Sequence, residues 1–119
     1  MNMDLRHALR IYQFAERLKS ELIIGNNLIQ ETSMMEDNVS GGKKILTAYL
    51  NAVLLEANLA VNTAHSPFFV DVARKVGLAV DETDLANFSG ASRAVTEALA
   101  LSTSAAGEAA QVLIDNEML

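Results

Sequence analysis

The stretch ILTAYLNAVLLEANLAVNTAHSP, residues 45–67, decides the fold. Its polar residues recur at helical spacing, which indicates a helix from Ile45 to about His65. Ser66-Pro67 then ends this helix, because proline disfavours helical geometry in the residue before it. Proline also suits the first position of a new helix, which the Ser66 side chain can cap. The sequence therefore predicts two consecutive helices joined by a tight turn.

The segment before this helix is also amphipathic. From Asp4 to about Ile24, an apolar stripe lies opposite a face of arginine, glutamine, serine and glutamate. The pattern favours continuation to about Met35, with a weak spot at residues 25–27, where Gly-Asn-Asn could cap a helix. Residues 36–42 are rich in turn-forming residues and predict the first loop.

Beyond the turn, we expect a short helix over residues 67–76, with Gly77 as a left-handed residue after its end. Asp81 can cap a further short segment that breaks at residues 87–90. Residues 91–117 form the best-patterned helix, with an alanine-rich apolar seam that lets a neighbouring helix approach closely. The sequence thus predicts an all-α, antiparallel bundle of four to five helices in a single domain, residues 1–119, completed by oligomerisation.

Composition excludes several classes of protein. The 119 residues can bury one core without disulfides or metals, and the absence of Cys removes thiolate sites and Cys nucleophiles. The N-terminus has no apolar signal-like segment, and the long apolar window at residues 45–64 is interrupted by three Asn and one Glu. We therefore expect a cytoplasmic protein without a signal peptide or a membrane span.

The charge is unevenly distributed along the chain. Of the formal net charge of −6, the whole excess lies in residues 76–119. This acidic third repels phosphate backbones and disfavours binding to nucleic acid by the whole surface. Arg6, Arg10 and Arg17 form a stripe on the first helix that could dock an acidic partner or a phosphate-bearing ligand. The interpretation we favour is that this stripe faces the acidic last helix of the same or a second subunit.

Glu56 departs from the pattern of its helix. On a helical wheel it lies among apolar residues such as Ile45, Ala52 and Leu59, opposite the polar stripe. A carboxylate on an apolar face needs a charged or hydrogen-bonding partner, a raised pKa or a metal. The favoured interpretation is a bundle edge or subunit boundary where Glu56 pairs with an Arg or Lys of another helix. Glu56 is also the best candidate for a catalytic group.

The polar stripe opposite Glu56 consists of Asn51, Asn58, Asn62 and His65. These groups could bind a polar ligand or a partner, but an amphipathic helix requires a solvated face in any case. His65 near the helix end also interacts favourably with the helix dipole when it is protonated. With two His and no Glu-x-x-His motif, the sequence predicts no metal site and no cofactor.

The first functional hypothesis is a non-enzymatic interaction protein that self-associates as a two-fold dimer and acts as a subunit, adaptor or regulator. It rests on the second helix, which is apolar around much of its circumference and therefore needs neighbours on several sides. The alternative is a small helical enzyme or ligand-binding bundle that uses Glu56 as a core carboxylate. A weaker third hypothesis is a subunit of a nucleic-acid-processing complex that uses the arginine stripe locally.

Overall fold

The computed structural model describes residues 4–118, which form four helices. They are α1 (Leu5–Ser33), α2 (Val39–Ala64), α3 (Pro67–Asp84) and α4 (Phe88–Asp115). Helices α1 and α3 each pack against both α2 and α4, so that the bundle is square in cross-section, with consecutive helices antiparallel. It measures 53 × 22 × 17 Å. The all-α bundle predicted from the sequence is confirmed, with four helices in the described part of the chain.

The larger buried side chains of the core come mainly from α1, α2 and α3, whereas most buried residues of α4 are alanines. Phe69 is its largest fully buried side chain and meets the Phe14 ring edge to face, with ring centroids 6.3 Å apart. The small side chains of α4 let α1 and α3 approach closely, as the alanine-rich seam predicts. The buried residues of α4 are Ala91, Ala94, Val95, Ala98, Ser102, Ala105, Ala106, Ala109 and Leu113.

Side-chain caps begin three of the four helices. Asp4 accepts a hydrogen bond from the His7 backbone N–H at 2.7 Å, and Asn87 accepts one from Gly90 at 3.1 Å. Ser66 accepts one from the backbone N–H of Phe68 at 3.3 Å, with proline at the first helical position. The prediction that the Ser-Pro pair separates two helices is therefore confirmed.

The connection between α1 and α2 is shorter than predicted. Helix α1 continues through the weak spot to Ser33, as the favoured interpretation requires, because Gly25 lies in its buried face against Tyr49 and Leu50. Residues 36–42 are not all loop, since α2 already begins at Val39. Gly42 is a buried helical residue, and its missing side chain leaves room for the Met35 sulfur, which would lie 2.7 Å from an added Cβ.

Helix α3 does not end at Gly77, and the predicted left-handed conformation of that residue is wrong. The helix continues to Asp84, so the separate short segment capped by Asp81 is absent from the described chain. Val76, Ala79 and Thr83 keep a buried stripe running through this region, and their burial outweighs the cost of one helical glycine. The left-handed residue is instead Ala86, with φ of 57°, after which α4 begins three residues before the predicted Ala91.

Helix α2 combines a length of 26 residues with a highly apolar composition. By length and composition alone it could cross a membrane, a property that the core helices of soluble bundles share. Only 28% of its most apolar window is buried in the bundle. Much of the apolar surface of α2 therefore faces outward.

Candidate functional site

The outward-facing side of α2 carries apolar residues at alternating spacings of three and four. Leu55 is 73% exposed, Ile45 69% and Leu59 53%. This spacing is that of a coiled-coil seam, in which such side chains insert between those of a partner helix. We call this surface the outer face of α2. It consists of Ile45, Ala48, Ala52, Leu55, Leu59 and Asn62, all exposed.

On the helical wheel Ile45, Ala52 and Leu59 lie on the apolar face around Glu56, and the structure shows that this face is exposed. The face that packs into the bundle is formed by Leu46, Leu50, Val53, Ala57, Ala60 and Ala64. The centres of the two apolar stripes lie about 150° apart around the helix. For a helix with two such stripes, a helical wheel does not show which stripe is buried. The packing of α1 and α3 against α2 decides it.

Glu56 borders the outer face, on the side nearest α1. Its Oε1 atom lies 2.6 Å from Nη1 of Arg17, and the Glu56 side chain is 22% exposed. The guanidinium carbon of Arg17 also lies 5.6 Å from the centroid of the Phe14 ring. Glu56 is therefore paired with an arginine of another helix at a bundle edge, which is the structural role that the sequence suggests for it.

A second carboxyl lies beside this ion pair. Burial, together with the neighbouring Glu56 carboxylate, raises the pKa of Glu21 to about 7, against the opposing effect of Arg17. Tyr49 donates a hydrogen bond from its hydroxyl to the backbone carbonyl of Glu21 at 2.7 Å. Burial and the charge of Glu21 raise the pKa of the Tyr49 hydroxyl. The helical wheel identifies Glu56 as unusual, whereas it gives no sign that Glu21 would lie next to it.

The arginine stripe of α1 lies beside α2 and not against the acidic α4 of the same chain, so that part of the sequence interpretation is wrong. Arg17 pairs with Glu56. Arg6 and Arg10 line a cleft of about 230 Å³ with His65 at the end of α2. The reason is geometric, because the α4-facing side of α1 is the side that holds Asn26, which contacts α4.

The three asparagines of the polar stripe are exposed. Asn51 also lines a shallow cleft with Lys44 at the start of α2, whereas Asn58 and Asn62 lie farther along the helix. His65 is exposed and left-handed, with φ of 50°, and ends α2. These residues do not form one cluster with Glu56. Asn62 belongs to the outer face itself, and Asn51 and Asn58 lie along its opposite edge.

Polar contacts with α1 and with α3 hold α4 in place, and sequence reasoning did not find those between Ser92 and Asn26 or between Lys75 and Glu97. The Ser92 hydroxyl donates a hydrogen bond to Asn26 of α1 at 2.7 Å. Lys75 of α3 lies 2.6 Å from Glu97 of α4, and its hydrogen bond and charge lower the pKa of the Glu97 carboxyl. Both contacts join residues far apart in sequence, so no local pattern could indicate them.

The chemistry available to these groups is association and proton binding. Within residues 4–118, no three His, Asp or Glu side chains come close enough together to hold a metal ion. Comparisons with protein-family models, with curated proteins and with solved structures gave no match. The outer face of α2 and the Glu21–Glu56 pair beside it are therefore the two candidate binding features of the described chain.

Proposed function

We propose that this protein is a non-enzymatic helical interaction protein, a self-associating subunit, adaptor or regulator, and that the outer face of α2 is its binding surface. The observation that supports this proposal is the exposure of large apolar side chains at coiled-coil spacing on one helix face. Contiguous exposed apolar surface of this kind is typical of protein interaction sites.

The surroundings of the outer face support the same proposal. Asn51 and Asn58 lie along one edge, and the Arg17–Glu56 pair lies along the other. A polar rim around an apolar centre is the usual composition of a protein interface. The rim carries both signs of charge, which gives a partner several groups with which to form hydrogen bonds and ion pairs.

The test is the molar mass of the purified protein by light scattering at micromolar concentration. We expect twice the 12.8 kDa mass of one chain, and a return to the single-chain mass in the double variant Leu55→Lys, Leu59→Lys. Leu85→Lys is the matched control, because Leu85 is 77% exposed but lies between α3 and α4. A single-chain mass for the unmodified protein would contradict self-association, and equal effects of all substitutions would contradict a role for this face.

The second candidate function is ligand binding at Glu56, which the raised pKa of the adjacent Glu21 favours. This candidate function has less support than the first, because Glu56 already forms an ion pair with Arg17. Its test is a titration with butylammonium chloride followed by NMR at Glu56 and Tyr49. Saturable shifts at both residues at low millimolar concentration would support a site for cations, and their absence would remove this candidate.

A further inference from the structure

We propose that the partner of the outer face of α2 is a second copy of the same chain, whose α2 lies antiparallel to the first across a two-fold axis. This inference rests on the proposed function, since it assigns a partner and a geometry to the same surface. A two-fold interface has to be self-complementary, so that each contact between two different residues occurs twice. The outer face satisfies this requirement in the sizes of its side chains, and the ends of the α1–α2 layer satisfy it in their charges.

The two alanines of the outer face lie towards the start of α2 and the two leucines towards its end, an order of sizes that suits an antiparallel copy. When the two-fold axis passes near Val53 and Leu54, each alanine of one chain lies level with a leucine of the other. Every layer then contains one small and one larger side chain, and the separation of the helices stays even along the seam. The layers pair Ala52 with Leu55, Ala48 with Leu59, and Ile45 with Asn62.

A parallel pair of α2 helices would fit less well. It would place Ala48 against Ala48 and Leu55 against Leu55, so that narrow and wide layers follow each other. Helices held apart by the leucine layers would leave gaps at the alanine layers, and interfaces are packed as densely as protein interiors. The order of small and large residues therefore favours the antiparallel copy.

The charges at the two ends of the α1–α2 layer are also complementary. Arg6 and Arg10 lie at one end, beside the C-terminus of α2. Glu31, Glu36 and Asp37 are exposed at the other end, where α1 leads into α2. An antiparallel pair brings the basic end of each chain towards the acidic end of the other, whereas a parallel pair brings like charges together.

Each end also holds charges of the opposite sign, Asp4 at one end and Lys43 and Lys44 at the other, and none opposes this arrangement. Lys43 is engaged with α3, where it donates a hydrogen bond to the backbone carbonyl of Asp84 at 3.0 Å. Asp4 is engaged as the cap of α1, where it accepts a hydrogen bond from His7. Lys44 lies near the start of α2, so that in the antiparallel pair it faces the last turn of the other α2. The carbonyl groups of a helix C-terminus carry partial negative charge, which attracts a lysine.

The asparagines favour a protein partner over a lipid surface. A carboxamide placed in hydrocarbon loses its hydrogen bonds to water without replacement. In the antiparallel pair, Asn51 of one chain lies nearly level with Asn58 of the other, and each amide can both donate and accept. Asn62 lies opposite Ile45 in the last layer, at the end of the seam.

Cysteine crosslinking tests the geometry directly, because the natural chain contains no Cys. Two single variants, Ala48→Cys and Leu59→Cys, are oxidised alone and as an equimolar mixture. We expect the mixture to form a disulfide between positions 48 and 59 of different chains. Each variant alone should form little disulfide-linked dimer. In the antiparallel pair, two copies of position 48 lie roughly 16 Å apart along the helix axis. A disulfide requires Cα atoms within about 7 Å.

Other outcomes would overturn the proposal in distinguishable ways. Efficient self-crosslinking of Ala48→Cys in a protein of dimeric mass would show a parallel pair and leave the proposed function intact. A single-chain mass with no crosslinks would contradict both the antiparallel pair and the proposed self-association. Flotation of single chains with phosphatidylcholine vesicles would identify lipid as the occupant. Ser104→Cys is the control on the exposed surface of α4, and crosslinking there as efficient as in the mixture would show random collision.

Discussion

Arg17 and Glu56 form an ion pair that joins the outer edges of α1 and α2, with the Nη1 and Oε1 atoms 2.6 Å apart. The pair raises the pKa of the Arg17 guanidinium, because its protonated form donates a hydrogen bond to Glu56 and is attracted by its charge. Glu56 also lies beside a second carboxyl, that of Glu21, and burial together with the charge of Glu56 raises the pKa of Glu21. The pKa of the Glu21 carboxyl consequently depends on Glu56.

Replacing Glu56 should lower the pKa of Glu21. The pKa of about 7 arises first from burial and then from the Glu56 charge. In Glu56→Gln the second cause disappears while burial remains, so we expect a pKa between about 4.5 and 7. The carbon chemical shift of the Glu21 carboxyl, followed by NMR through a pH titration, measures it. Glu16→Gln is the control, because Glu16 pairs with Lys19 elsewhere on α1. An unchanged Glu21 pKa in Glu56→Gln would contradict the coupling.

The raised pKa of Glu21 also predicts how stability depends on pH. Its value is about 7 in the folded protein, against an ordinary value of 4.5, so the folded state binds more protons between these limits. Stability from this group is therefore fully present below about pH 4.5 and is lost as the pH rises to about 7.

The corresponding measurement is urea denaturation at pH 5 and pH 8 for the natural protein and for Glu21→Gln. We expect the denaturation midpoint of the natural protein to fall between these pH values by more than that of the variant, in which the group does not titrate. Equal falls in the two proteins would show that other groups cause the pH dependence.

Gly77→Ala should stabilise the protein. Gly77 is helical, its φ is not positive, and no atom lies within 4 Å of an added Cβ. Alanine in a helix interior is favoured over glycine by about 1 kcal/mol, so the free energy of unfolding should rise by up to that amount. Denaturant unfolding measures the change. Gly42→Ala is the contrasting variant, with a smaller gain or a loss, because its Cβ would meet Met35. A large loss of stability in Gly77→Ala would indicate the left-handed conformation instead.

The sequence predicted those features of the fold that depend on local chemistry. The Ser66-Pro67 junction, the continuation of α1 past Gly25 and the amphipathic last helix all follow from capping, proline geometry and helical periodicity. The end of α3 was predicted wrongly because the buried stripe through Val76 and Ala79 outweighs the signal of one glycine.

The candidate site was less predictable because it depends on contacts between helices. The unusual position of Glu56 is visible on a helical wheel, but its neighbours Arg17 and Glu21 lie more than thirty residues away in sequence. The outer face of α2 could not be recognised from periodicity alone, since a helix with two apolar stripes does not indicate which one is buried. Contacts with neighbouring helices decide which stripe is buried. One example is the hydrogen bond from the Tyr49 hydroxyl to the backbone carbonyl of Glu21 in α1.

The aromatic pair beneath the ion pair should stabilise the bundle across its diagonal. Phe14 of α1 and Phe69 of α3 meet edge to face at 6.3 Å, and Arg17 lies over the Phe14 ring. Edge-to-face pairs contribute about 0.5–1.5 kcal/mol beyond their buried area, so a double-mutant cycle with Phe14→Leu and Phe69→Leu should show a coupling of that size. Urea denaturation gives the four free energies. The same cycle with Phe68→Leu in place of Phe69→Leu is the control, and equal coupling in both cycles would contradict a specific aromatic contact.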